Sequence, residues 1–147
     1  MALELSELYS QVIKDHNLSR HNRHLLAGPT VTVPGKNPSC GDEISLSLKL
    51  GGDGAIEDAA YTGVGCAISQ ASVSIMIDLV RGKTPQEARE LCRLFLGMIR
   101  HDPLTPEELK KLDEAAALAG VSNMPARVKC ATMPWHTLEM ALAEIGE

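Results

Sequence analysis

Aromatic residues are nearly missing from this 147-residue chain: one tryptophan, one phenylalanine and two tyrosines make up 3% of it. Its core must therefore be aliphatic, and an apolar fraction of 44% is ordinary for a single domain of this length, read as spanning residues 1–147. Long hydrophobic runs are also absent. Nothing approaches the roughly 18 residues of a membrane span, so no membrane role is expected. Positive charge is not in excess, and a net charge of −5 argues against a general nucleic-acid binder. The opening residues, Met1-Ala2-Leu3-Glu4-Leu5-Ser6-Glu7, lack the basic start and apolar stretch of a signal peptide, which leads to the expectation of a cytoplasmic protein. Repeats, low-complexity segments and paired C-x-x-C knuckles are missing too. The chain does have four cysteines. In a reducing compartment these bind metal or do chemistry more often than they form disulfides.

Periodicity gives the elements. Leu5, Leu8, Tyr9, Val12 and Ile13 share one face of an amphipathic helix from about Glu4 to about Asp15. The segment from His16 to Gly28 reads as a polar, solvated connection, and the spacing of His16, His21 and His24 is not that of a helical metal site. Thr30 to Val33 predicts a short strand ended by Pro34-Gly35. Ile44 to Leu50 alternates apolar and polar without a break, Gly51-Gly52-Asp53-Gly54 signals a hairpin, and Ile56 to Val64 returns as the partner strand.

Helices follow. One runs from about Ala67 to Val80 with Ile68, Ala71, Ile75, Met76 and Leu79 as its buried face. Thr84-Pro85-Gln86-Glu87 opens the next with a cap, Pro at the first helical position and Glu at the third. Cys92 lies on the apolar stripe of that helix and reads as a small core residue. Thr105-Pro106-Glu107-Glu108 repeats the capping logic for a fourth helix lined by Leu109, Leu112, Ala116 and Ala119 and stopped by Gly120. Pro125 to Ile145 is helical, with Pro134 placed to kink or divide it. The expected fold class is α+β: a small three-stranded antiparallel sheet covered by about five helices.

The other three cysteines sit at element edges beside turn residues. Cys40 and Asp42 flank Gly41 in Asn37-Pro38-Ser39-Cys40-Gly41-Asp42, where glycine lets the backbone turn both side chains to one point. Cys66 ends Gly63-Val64-Gly65-Cys66 at a helix N-terminus, where the macrodipole favours thiolate. Cys130 follows Pro125-Ala126-Arg127-Val128-Lys129. Three thiols and a carboxylate are a full tetrahedral set for zinc, so the candidate metal ligands are Cys40, Asp42, Cys66 and Cys130. A purely structural zinc site is a competing reading, and Asp42 could instead be a turn aspartate bonding its own backbone. As the harder ligand, Asp42 is expected to exchange more easily than a thiolate. Arg127, three residues before Cys130, reads equally as a cation that steadies a thiolate or persulfide and as a surface arginine.

Together these motifs, with Gly63-Val64-Gly65-Cys66-Ala67-Ile68-Ser69 and Ala126-Arg127-Val128-Lys129-Cys130-Ala131 as the second and third, resemble the iron–sulfur cluster assembly proteins of the IscU/NifU N-terminal family. The similarity is closer to the SufU branch. Lys129 stands where the IscU scaffolds have a histidine, Met124-Pro125-Ala126-Arg127-Val128 replaces a Leu-Pro-Pro-Val-Lys segment, and the helical stretch at about 103–120 is similar to the SufU insertion. The resemblance implies zinc-dependent sulfur transfer, with Cys40 accepting persulfide sulfur from a SufS-type cysteine desulfurase and passing it toward cluster assembly. Other Suf assembly proteins are implied as further partners. A scaffold that builds a [2Fe–2S] cluster, or holds iron, on the same ligands is the alternative.

Overall fold

The structure is a computed structural model, and it describes residues 11, 13–15, 22–37 and 41–145. Three strands, β1 (Val31–Asn37), β2 (Asp42–Leu50) and β3 (Ile56–Val64), form an antiparallel sheet in the order β1-β2-β3. Four α-helices follow: α1 (Ala67–Val80), α2 (Pro85–Ile99), α3 (Pro106–Leu112) and α4 (Pro125–Ile145), with a 3-10 helix, Asp113–Asn123, between the last two. Of the first expected helix, residues 11 and 13–15 are helical and Ile13 packs against the core, while Leu5, Leu8, Tyr9 and Val12 lie outside the described residues.

The sheet uses the alternation of its sequence. Val33, Gly35 and Asn37 on β1 and Asp42, Ile44, Leu46 and Leu48 on β2 all turn to the buried side. The same register pairs Asn37 with Asp42 at one end of the β1–β2 ladder. Strand β1 corrects the expectation that Pro34-Gly35 would end it. It runs on to Asn37 because it is an edge strand, where a proline without an N–H is tolerated. Gly35 serves packing there: a β-carbon would collide with Thr137 of α4.

Helix α1 is buried almost all round rather than on one face. Val73, Ile77 and the small polar residues Ser69, Ser72 and Ser74 are as enclosed as the predicted Ala71, Ile75 and Met76, whereas Ile68 and Leu79 are only partly buried. It packs against β3, α2, α4 and the 3-10 helix, which leaves little beyond Ala67 and Asp78 exposed to solvent. Both capping boxes form, at Thr84/Glu87 and Thr105/Glu108.

The fourth helix departs most from expectation. Its α-helical part stops at Leu112, and the chain continues as eleven residues of 3-10 helix starting at Asp113, whose φ is +47°. Leu112, Ala115, Leu118 and Val121 are buried, a spacing of three that stacks into one stripe only on a three-residue turn. Leu109 and Ala119, expected inside, are exposed, and Gly120 does not end the element. Pro134 does not divide the last helix, which is continuous over 21 residues. Trp135, one residue on, is fully buried and stacks on Phe95 with ring centroids 4.3 Å apart.

The polar connection before β1 is only partly solvated. His24 is exposed, and His16 and His21 lie outside the described residues. Asn22 is buried: it donates to Ser74 O at 2.9 Å and Asp78 Oδ1 at 3.0 Å, and accepts from Arg81 Nη2 at 2.6 Å. Its neighbour Arg23 bridges to Tyr61 in parallel, adding one more rung beside β3.

Candidate metal centre

Three elements meet at one end of the sheet. Asp42 opens β2, Cys66 caps α1, and Cys130 lies in the second turn of α4. The carboxylate and the two sulfur atoms lie within 4.8 Å of one another. Ligands about 2.3 Å from a tetrahedral zinc sit roughly 3.8 Å apart, so these three fit one ion after a small closure. Cys40 lies outside the described residues, two positions before Asp42 in the chain. Arg127 stands exposed, one helical turn ahead of Cys130, and Lys129 is likewise exposed.

Each of the three is held by local structure. Cys66 has the extended backbone of an N-cap, and its sulfur accepts the Ser69 N–H at 3.4 Å, the role usually filled by Ser or Asp. Ser69 Oγ donates in turn to Cys66 O at 3.0 Å. Cys130 is fully buried, beside a node that ties α4 to α1: Ser72 Oγ donates to Ala131 O at 2.6 Å and accepts from Trp135 Nε1 at 3.1 Å. In α4, Pro134 has no N–H to offer the Cys130 carbonyl one turn earlier.

Among the described residues, Asp42 is the most enclosed carboxylate, 2% exposed. Its Oδ1 accepts the Cys66 N–H at 2.9 Å, and its Oδ2 faces Asn37 Nδ2 at 3.4 Å. These bonds tie it to two other segments, unlike a turn aspartate bonding its own backbone. Burial with both oxygens engaged also works against easy exchange at Asp42, whatever its hardness as a ligand.

Two residues at the site carried no role in the sequence reading. Gly65 leaves space for the carboxylate, since a β-carbon there would lie 2.6 Å from Asp42 Oδ1 and 2.5 Å from Ser69 Oγ. Asn37, read as a turn marker, is a buried strand residue whose Nδ2 lies 3.4 Å from Asp42 and 3.8 Å from Cys130 Sγ. The signal was present: continuing the inward phase of Val33 and Gly35 reaches Asn37, and continuing that of Leu46 and Ile44 reaches Asp42. Asn37 also lines a groove of about 630 Å³ between β1 and α4.

Cys92 is the core residue its helical stripe indicates. It is fully buried and its thiol donates to Trp135 O at 3.7 Å. Burial, reinforced by the Glu139 charge, pushes that thiol's pKa far up.

A sheet of three antiparallel strands with helices packed against it, and two thiols and a carboxylate gathered at one end, defines an α+β protein with a candidate metal site. The chain belongs to the NifU-like N-terminal domain family, whose model matches residues 8–131. It is 40% identical over 140 residues to the zinc-dependent sulfurtransferase SufU of Bacillus subtilis, covering 95% of this chain and 92% of that protein. It is 43% identical over 143 residues to the iron–sulfur cluster assembly scaffold protein IscU of Streptococcus pyogenes, covering 97% and 87%. Among solved structures, a SUF-system iron–sulfur cluster assembly scaffold protein from Fervidobacterium islandicum superposes with a TM-score of 0.85 at 37% identity, covering 92% of this chain and 97% of that one. Among the described residues, no helix is long and apolar enough to cross a membrane.

Proposed function

We propose that this protein relays sulfur for iron–sulfur cluster assembly in a zinc-dependent way, taking it from a cysteine desulfurase of the SufS type. The observation that carries the reading is the convergence of Asp42, Cys66 and Cys130 within 4.8 Å, with Cys40 two residues away from the carboxylate in sequence. Bound zinc would keep its thiols ionised at neutral pH, the form that attacks sulfur. Cys66 and Cys130 would hold the ion together with Asp42 as fixed ligands, one on a helix cap and one inside a helix. Cys40, as a thiolate, would attack the terminal sulfur of the donor persulfide. The donor's S–S bond breaks, its cysteine leaves as thiolate, and Cys40 becomes the persulfide, with no net oxidation. Arg127 is the cation we place near the transferred sulfur. The chemistry needs reduced thiols, so the cytoplasm is the compartment we propose. We also read the chain as one domain with a helical insertion at about 103–120, and other Suf assembly proteins as later recipients.

The 43% identity to a protein named as a scaffold supports a second reading, assembly of a [2Fe–2S] cluster on the same ligands. Lys129 and the helical insertion favour the first. The test is sulfide production by a cysteine desulfurase with zinc-loaded, metal-free and Cys40→Ala protein. Stimulation by the zinc-loaded form alone is the expected result. Stoichiometric iron with visible absorption in protein purified without oxygen, and no stimulation, would favour the scaffold.

A further inference from the structure

Asn37 is 4% exposed and ends β1, opposite Asp42 in the ladder. Its amide nitrogen lies 3.4 Å from Asp42 Oδ2 and 3.8 Å from Cys130 Sγ. Both neighbours are acceptors when ionised, so the amide must present its nitrogen, not its oxygen, to them. That nitrogen carries two hydrogens, enough for both. Asp42 and Cys130 come from a strand and a helix 88 residues apart (130 − 42), and Asn37 touches both of them.

Charge explains why an amide suits the position. Three thiolates and a carboxylate around a divalent ion leave an excess of about two negative charges. A neutral amide donor offsets part of that excess without bringing a full positive charge against the cation, as a lysine or arginine in contact would. A hydrogen bond to sulfur also lowers the energy of the sulfur lone pairs, which moves thiolate-to-metal charge transfer to higher energy. Outer residues of this kind commonly change metal affinity by about 10–100-fold.

We propose that Asn37 is a positioning residue of the metal site: its buried amide donates to Asp42 and Cys130 together and clamps them as a fixed pair. Ligand exchange is thereby disfavoured at Asp42 and Cys130. The inference rests on the metal-site reading above, because the clamp acts on ligands.

The test combines two variants with a measurement on the unaltered protein. Asn37→Asp keeps the shape but replaces the donor with a charge, and Asn37→Ala removes both. Zinc affinity measured against a competing chelator should fall by about 10-fold or more in each. In cobalt-substituted Asn37→Ala the thiolate-to-metal absorption should move to lower energy, which a merely structural role would not produce. In the unaltered protein loaded with ¹¹³Cd, an Asn37 side-chain proton should show scalar coupling to the metal through the Cys130 sulfur. Unchanged affinity and spectrum in both variants, or cadmium bound by Cys66 and Cys130 with no coupling to Asn37, overturns the clamp alone. Failure of the unaltered protein to bind zinc, cobalt or cadmium at these cysteines overturns the metal-site reading and the clamp with it. The cadmium measurement decides the matter even where a variant does not fold.

Discussion

The backbone N–H of Cys66 donates to Asp42 Oδ1 at 2.9 Å, joining the cap of α1 to the first residue of β2. One carboxylate oxygen thus fixes where the next candidate ligand stands, and a change at either residue is felt at the other.

Asp42→Ala should therefore damage more than a ligand count. It leaves the Cys66 N–H without its acceptor, which costs the metal-free protein about 1–3 kcal/mol. Urea denaturation of the metal-free form measures this directly. The gain in melting temperature on adding zinc should also shrink. Equal stability of the two metal-free proteins would mean that water replaces the carboxylate at no cost.

Gly65→Ala should injure the site and spare the sheet. The new methyl would meet Asp42 Oδ1 and Ser69 Oγ at about van der Waals overlap, so the carboxylate or the cap must move. Chelator competition should show zinc held at least about 10-fold more weakly. Far-UV circular dichroism should be unchanged. An unaltered affinity would show that Asp42 can shift without leaving the ligand set.

Acid should destabilise the fold through carboxylates away from the site. The Thr84 N–H holds Glu87, and the Thr105 N–H holds Glu108, below the usual carboxylate range. Burial opposes ionisation of Asp58, but the Ala59 N–H and Arg81 outweigh it, so its pKa is lowered too. A folded pKa below the unfolded one gives stability that is present above the unfolded value and lost as pH falls through the folded one. The loss should thus appear below about pH 4.5 in the urea midpoint of metal-free protein. The double variant Glu87→Gln and Glu108→Gln keeps a side-chain acceptor without the titration and should flatten that limb. An equally steep limb would place the acid sensitivity elsewhere.

Thiol reactivity should be ordered by environment. In metal-free protein at pH 8, iodoacetamide should label half-exposed Cys66 ahead of buried Cys130, and Cys92 should stay unlabelled until the chain unfolds. Burial raises the Cys92 thiol's pKa and shields it from the reagent at once. Peptide mapping by mass spectrometry reads the order, and early labelling of Cys92 would show that α2 opens locally.

The three strands, the two capping boxes and the place of Cys92 were legible in the sequence because each is local: alternation, a four-residue cap motif and a helical stripe need no knowledge of neighbours. The cysteine and aspartate types, set beside turn glycines, also marked out the candidate metal site. The burial of α1 almost all round was not legible, because its serines look solvated until α4 and the 3-10 helix are packed against it.

The 3-10 segment shows the limit from the other side. Leu112, Ala115, Leu118 and Val121 carry its three-residue period, yet α-helical spacing fits some of the same residues and competes with it. Asn37 is the sharper case. Its sequence neighbour Pro38 marks a turn, while its role comes from Cys130, 93 positions away. Residue types and local periods are properties of the chain alone. The meeting of Asp42, Cys66, Cys130 and Asn37 was decided only when two strands and two helices closed on a common core, since contact between distant residues depends on packing and not on spacing.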